Sequence, residues 1–247
     1  MRTHSKVIGS VLLLSLLLGL GACRQAIAAA EPGCATPKEL LARASAALRA
    51  GDREDFAMCF AAYKHFGLDT GRGMADMQLL SQNSEQVVID GVKKFGAKDF
   101  MDALGFEGMM LIYQGPPPFD LLAQKGTMTI TGNNATCEYK VNGNGDETLP
   151  TQPELKKYMQ TMWGDSKSTS VSMPFEKIDN RWFFASPGLK DGTVVGKIHK
   201  ALTAFIEQVR KNIPACANAK AFKTALAKPV TKLQEDLKAA SPKPAKK

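Results

Sequence analysis

The chain has 247 residues, 44% hydrophobic and 23% charged, with 32 Lys and Arg against 24 Asp and Glu and a formal charge of +8. That balance excludes a wholly disordered chain, 21 Gly and 13 Pro without a repeat exclude a collagen-like one, and a single long apolar run excludes a polytopic membrane protein. The basic total does not point to nucleic acid: residues 1–30 carry three Lys or Arg and no acid, residues 228–247 six Lys and two acids, and residues 31–227 are nearly neutral with 23 bases and 22 acids.

In chain order, Arg2 and Lys6 precede an apolar run at 7–20, and small residues follow. This is the order of a secretory signal peptide, and the run falls short of the ~20 apolar residues of a spanning helix. Leu20-Gly21-Ala22-Cys23 resembles a bacterial lipobox. That resemblance implies a signal peptide of 1–22 and a diacylglycerol on the Cys23 sulfur, which would tether the chain to a membrane surface. The rival is an A-x-A site, Ala26-Ile27-Ala28 or Ala28-Ala29-Ala30, giving a signal peptide of 1–28 or 1–30. Either way the expectation is an exported protein, periplasmic or lipid-anchored at the bacterial cell envelope. A basic tail at 240–247 is expected to be disordered and to touch an anionic surface.

Thr36-Pro37-Lys38-Glu39 is a helix start with a capping box, Leu40, Leu41, Ala44, Ala47 and Leu48 follow at helical spacing, and Gly51 ends the helix. Asp52 caps a second helix carrying Phe56, Cys59, Phe60 and Tyr63 on one face, so 36–66 reads as a helical hairpin. Over 67–125 the pattern predicts a helix from Ser84 to Lys94 and a shorter one at 98–104; Met109–Tyr113 fits a strand or a helix. Strands follow at 127–131, 135–141, 170–178 and 181–186, with a helix near 153–163 between the pairs. Cys137, Tyr139 and Val141 share a face, as do Val171, Met173 and Phe175, and Trp182 with Phe184, the alternation of an antiparallel sheet with one buried face. Residues 190–239 form a helical extension, stopped at Pro214 and interrupted at Pro229.

The stretch TPKELLARASAALRAGDREDFAMCF, with Ala46-Ala47-Leu48-Arg49-Ala50-Gly51-Asp52 joining two helices, resembles the opening of small exported bacterial domains of the nuclear transport factor 2-like superfamily. VSMPFEKIDNRWFFASPG resembles that group's final hairpin. The resemblance implies an α+β cone over 36–187: helices packed on a curved antiparallel sheet of about four strands, sometimes around a cavity. An insertion at about 67–125 and the extension after 190 depart from the compact pattern.

Chemistry-bearing residues are sparse. His65 and His199 are the histidines after residue 4, and no H-E-x-x-H or H-x-E pattern exists, so neither a His-based metal site nor a triad is expected. Asp69-Thr70-Gly71 resembles the aspartic-protease tripeptide but occurs once and reads as a loop. Asn142–Glu147 spaces oxygens like a calcium loop, yet Glu147 stands where Gly is needed and Pro153 where the bidentate Glu belongs. Asn134-Ala135-Thr136 matches a glycosylation sequon and reads as a turn. No catalytic residue, cofactor or metal is assigned. An aromatic-lined cavity, if open, would draw on Tyr63, Tyr139, Trp182 and Phe184.

Cys34, Cys59, Cys137 and Cys216 remain after the signal region, an even number that suggests disulfides in an oxidising compartment, with reduced buried thiols as the alternative. No Cys-x-x-Cys occurs, which removes thioredoxin-like chemistry and Cys-type zinc sites. In a hairpin turning at 51–52, Cys34 lies ten residues beyond the position opposite Cys59, ~15 Å in a helix, so Cys34–Cys59 is disfavoured. Cys59–Cys137 and Cys34–Cys216 are the preferred pairs. The leading expectation is a non-enzymatic envelope protein acting by binding or assembly, with a partner on the C-terminal helices. A small-molecule carrier and a cone-cavity isomerase or dehydratase are the alternatives.

Overall fold

The computed structural model describes residues 31–115, 118–140, 149–163, 170–187, 189 and 191–240. The signal region, Cys23, Val141, the Asn142–Glu147 turn and the tail from 241 lie outside the described residues.

Thr36 opens helix α1 (Pro37–Ala50) with the expected capping box: the Glu39 N–H donates to Thr36 Oγ1 (3.2 Å) and the Thr36 N–H to Glu39 Oε2 (3.0 Å). Gly51 closes it in the left-handed conformation at φ 66°. The second helix of the hairpin is not continuous. Helix α2 (Arg53–Ala57) stops, Phe60 makes a parallel bridge to Phe184, and α3 (Ala61–Phe66) restarts. The expected single face of Phe56, Cys59, Phe60 and Tyr63 is thereby divided.

Helices α4 (Leu68–Asn83), α5 (Glu85–Phe95), α6 (Ala97–Ile112) and α7 (Phe119–Lys125) follow. Helix α6 is broken at Gly105, whose backbone is non-helical (φ 73°, ψ 169°): its first part, 97–104, is the short helix expected at 98–104, and Met109–Ile112 are helical rather than a strand. Strands β1 (Thr127–Thr131), β2 (Asn134–Lys140), β3 (Ser170–Ile178) and β4 (Arg181–Phe184) form one antiparallel sheet in the order β1-β2-β3-β4, with helix α8 (Pro153–Trp163) between β2 and β3. The class is α+β, as expected. Helices α9 (Thr193–Ala215) and α10 (Ala219–Ala240) complete the described chain, and both prolines lie inside helices. Pro229 does not interrupt α10; packing along the whole helix outweighs one missing backbone hydrogen bond.

Two hydrophobic cores result. One lies between the sheet and α1, α2 and α7 and contains Leu40, Leu41, Phe56, Phe119, Cys137, Phe175, Trp182 and Phe184. The other is built by α5, α6, α8, α9 and α10 around Phe100, Leu104, Tyr158, Phe205, Val209 and Phe222. Helices α5 and α6 of the expected insertion join α8 and the C-terminal helices in the second core, while α7, also within 67–125, packs into the sheet core. Helix α4 is the seam: Ala75 belongs to the sheet core, while Met77 and Leu80 pack against the helical one. The described chain from Pro32 onward clusters as one compact unit.

Candidate functional site

The sheet places its side chains as period-2 alternation requires. Ala135, Cys137 and Tyr139 are buried, and Glu138 and Lys140 are exposed. The inner face is filled with rings. Phe184 stacks on Phe119 of α7 (5.2 Å between centroids, planes 19° apart) and meets Phe60 at 5.7 Å and Phe175 at 5.5 Å. Phe56 packs edge-on against both Phe60 and Phe119.

The four expected cavity residues do not converge. Tyr139 lies opposite Val171 and Trp182 opposite Lys177, six residues or ~20 Å apart along β3. Tyr63 is half-buried on α3, and Phe184 is enclosed by the rings just named. A shallow cleft lies elsewhere, between α9 and α10: about 320 Å³, lined by Ala201, Phe205 and Leu233, with Lys228, Pro229 and Lys232 also on its wall.

The catalytic candidates stay apart. His65 is half-exposed and contacts Glu176 Oε2 at 3.2 Å through Nε2, while His199 lies on α9. Asp69-Thr70-Gly71 is not a loop but the first turn of α4, with Asp69 exposed and paired to Arg72 at 3.3 Å. Asn134-Ala135-Thr136 begins β2 rather than making the turn. Among the described residues no three His, Cys, Asp or Glu side chains are grouped as a metal site, and no helix is long and apolar enough to cross a membrane.

One polar constellation that sequence reasoning missed centres on Arg43. Its Nε and Nη2 donate to Asp55 Oδ1 (3.1 and 2.7 Å), and Nη1 donates to the Gly33 carbonyl (2.8 Å). Arg181 grips the same segment from β4, with Nε on Pro32 O (2.7 Å) and Nη2 on Gly33 O (2.8 Å). Two of the cysteines sit against this cluster. Burial pushes the Cys34 thiol up, with hydrogen bonding and charge from Arg43 opposing it. Burial pushes the Cys59 thiol up to about 12, again against the Arg43 charge. Burial works against the Arg43 charge, but Asp55 together with Cys59 and Cys34 more than offsets it and holds the guanidinium protonated. The only sequence signal was an arginine on the polar side of an otherwise apolar helix, common on any surface helix.

Cys34 and Cys59 line the sheet core, as does Cys137, whose thiol points at the Leu122 carbonyl (3.6 Å). Cys216 belongs to the helical core. The preferred Cys34–Cys216 pair is therefore overturned, since its members lie in different cores. The reason is local. The residues before Thr36 do not prolong α1: Cys34 bridges Trp182 of β4, and the Gly33 carbonyl accepts from the Arg43 guanidinium. Gly33 turns at φ 69°, and a Cβ there would stand 2.6 Å from the Phe183 ring and 2.8 Å from Trp182 O.

Comparison with protein-family models, with curated sequences and with solved structures finds no match.

Proposed function

We propose that the protein is exported and acts at the cell envelope by binding or assembly rather than by catalysis. The observation that carries this reading is the ring-filled inner face of the sheet, where Phe56, Phe60, Phe119, Phe175 and Phe184 occupy the place an open cone would give a substrate. The signal-like N-terminus and the nearly neutral body support it as well. In this reading the chain meets the membrane through a lipid on Cys23 and a protein partner through the α9–α10 cleft. Kinship with the nuclear transport factor 2-like superfamily is part of the proposal, supported by a helical hairpin laid on a four-stranded antiparallel meander.

Intact-mass and N-terminal peptide analysis of the protein from its own cells tests the export step. A chain starting at a diacylglycerol-modified Cys23, or an unmodified chain starting near Glu31, is expected; a chain retaining Met1 refutes export. For the partner, Ala204 is exposed in the cleft, so Ala204→Arg blocks it without entering the core. The partner set recovered by in-cell crosslinking should shrink, and an unchanged set refutes the cleft as the docking place.

A further inference from the structure

The geometry points to Cys34 and Cys59 as a disulfide pair that forms when the protein meets a disulfide oxidant. Both residues occupy the free edge of β4. Cys34 exchanges two backbone hydrogen bonds with Trp182, N–H to O at 3.1 Å and the return at 2.8 Å. The Cys59 carbonyl accepts the Phe184 N–H at 2.9 Å, and Phe60 bridges Phe184 in parallel. The two cysteines thus face β4 at neighbouring levels, about one strand step or ~3.4 Å apart along it. A crosswise bond, Gly33 N–H to Met58 O at 3.0 Å, holds the two segments against each other. Cys34, Cys59, Cys137 and Cys216 are all free thiols in the structure, and adjacent levels on one strand edge are the placement that the roughly 4.4–6.8 Å Cα separation of a disulfide calls for. Both thiols also feel the charge of one guanidinium, that of Arg43, which hydrogen-bonds Cys34. Cys137 sits instead over the Leu122–Gly126 end of α7, and Cys216 in the other core.

The order of events follows from access and charge. Cys59 is fully enclosed, whereas Cys34 keeps a 9% exposure and accepts hydrogen bonding from Arg43. Cys34 therefore attacks first: its sulfur gives up a proton and displaces one thiolate from the oxidant's S–S bond, leaving a mixed disulfide. Cys59 then loses its proton, attacks Cys34 Sγ and releases the second thiolate. Two protons and two electrons have passed to the oxidant, of the class of glutathione disulfide or an oxidoreductase disulfide, which becomes two thiols. The product fastens the N-terminal segment and the α2–α3 break to each other, locking in place the two segments that already cover the β4 edge.

The test uses the folded chain in a glutathione redox buffer, quenched in acid, denatured, alkylated and mapped by peptide mass. The pairing is assayed without reference to where the protein resides, so its failure is distinct from failure of the export reading. A linked peptide pair containing Cys34 and Cys59 is expected, with Cys137 and Cys216 alkylated. Alkylation of all four, or a link through Cys137 or Cys216, overturns the proposal. Closing a loop of about 25 residues should raise the melting temperature by roughly 7–14 °C relative to the reduced protein. That difference should vanish in Cys34→Ala and persist in Cys137→Ala. A melting temperature insensitive to reductant in the unsubstituted protein counts against the pairing.

Discussion

Replacing Phe222 by Ala asks whether the helices after residue 190 are an appendage or half of the fold. Phe222 is fully buried; its ring stacks on Phe95 at 4.7 Å and on Phe100 at 5.8 Å, with planes within about 20° in both cases. Burial of a Phe side chain contributes about 1.5–3 kcal/mol, and each aromatic pair ~0.5–1.5 kcal/mol beyond its area. With the cavity left behind, the substitution should cost about 4 kcal/mol, or roughly 8–16 °C in a chain of this size. Urea unfolding followed by far-ultraviolet circular dichroism and by tryptophan fluorescence, in a Trp163→Phe background, reads both cores at once, because Trp182 reports from the sheet core. Both transitions should move together. A loss below about 1 kcal/mol, or a fluorescence transition that stays put while the dichroism shifts, refutes the shared-core reasoning. For the same reason, deletion of 190–247 does not test partner binding: it opens the core that Phe205, Val209 and Phe222 fill.

Arg43→Ala removes the hydrogen bonds to Asp55 and the Gly33 carbonyl and leaves a partly buried carboxylate unpaired, a loss of about 2 kcal/mol in urea unfolding of the reduced protein. Arg43→Lys should recover part of it, having the charge without the fork; an Arg43→Ala variant as stable as its parent sinks the clamp. In the reduced protein the Cys59 thiol titrates near 12 instead of its ordinary 9.0 because of burial. A raised thiol contributes stability that is complete below pH 9 and is lost as pH climbs towards 12, about 2 kcal/mol of it by pH 10.5. Oxidation to a disulfide removes the titrating group, so reduced and oxidised protein should diverge in alkaline urea titrations; parallel pH profiles would contradict both the burial and the pairing.

Much of the sheet was legible because its chemistry is local. Cys137 and Tyr139 alternate with Glu138 and Lys140, and a one-residue slip would turn every one of them to the wrong side. Helix α1 was legible for the same reason, since Thr36, Glu39 and Gly51 satisfy its end groups from within its own sequence. Helix α4 was not. Its apolar residues divide between two cores, so no single stripe forms, and Gly71 and Gly73 weaken the helical signal. Both glycines answer to partners far along the chain: a Cβ at Gly71 would stand 2.9 Å from Ala57 O, and one at Gly73 2.9 Å from Val195 Cγ1.

The cysteines fail for a different physical reason. Distance along a helix is a sound measure only while the chain stays helical, and the argument against Cys34–Cys59 extended α1 by residues that do not belong to it. What holds this non-helical segment is one glycine in the left-handed region together with two arginines, Arg43 and Arg181, that converge on the Gly33 carbonyl from elements about 140 residues apart. No local pattern announces such a grip, because each arginine taken alone reads as a solvated surface charge. The aromatic pattern misled in the same direction. Tyr63, Tyr139, Trp182 and Phe184 are the residue types of a ligand wall, but type does not set convergence; strand register does, and it places Tyr139 and Trp182 at opposite ends of β3. The sheet's inner face is thereby a packed core, and the cleft between α9 and α10, where Pro229 lies in mid-helix beside Lys228 and Lys232, stands apart from it.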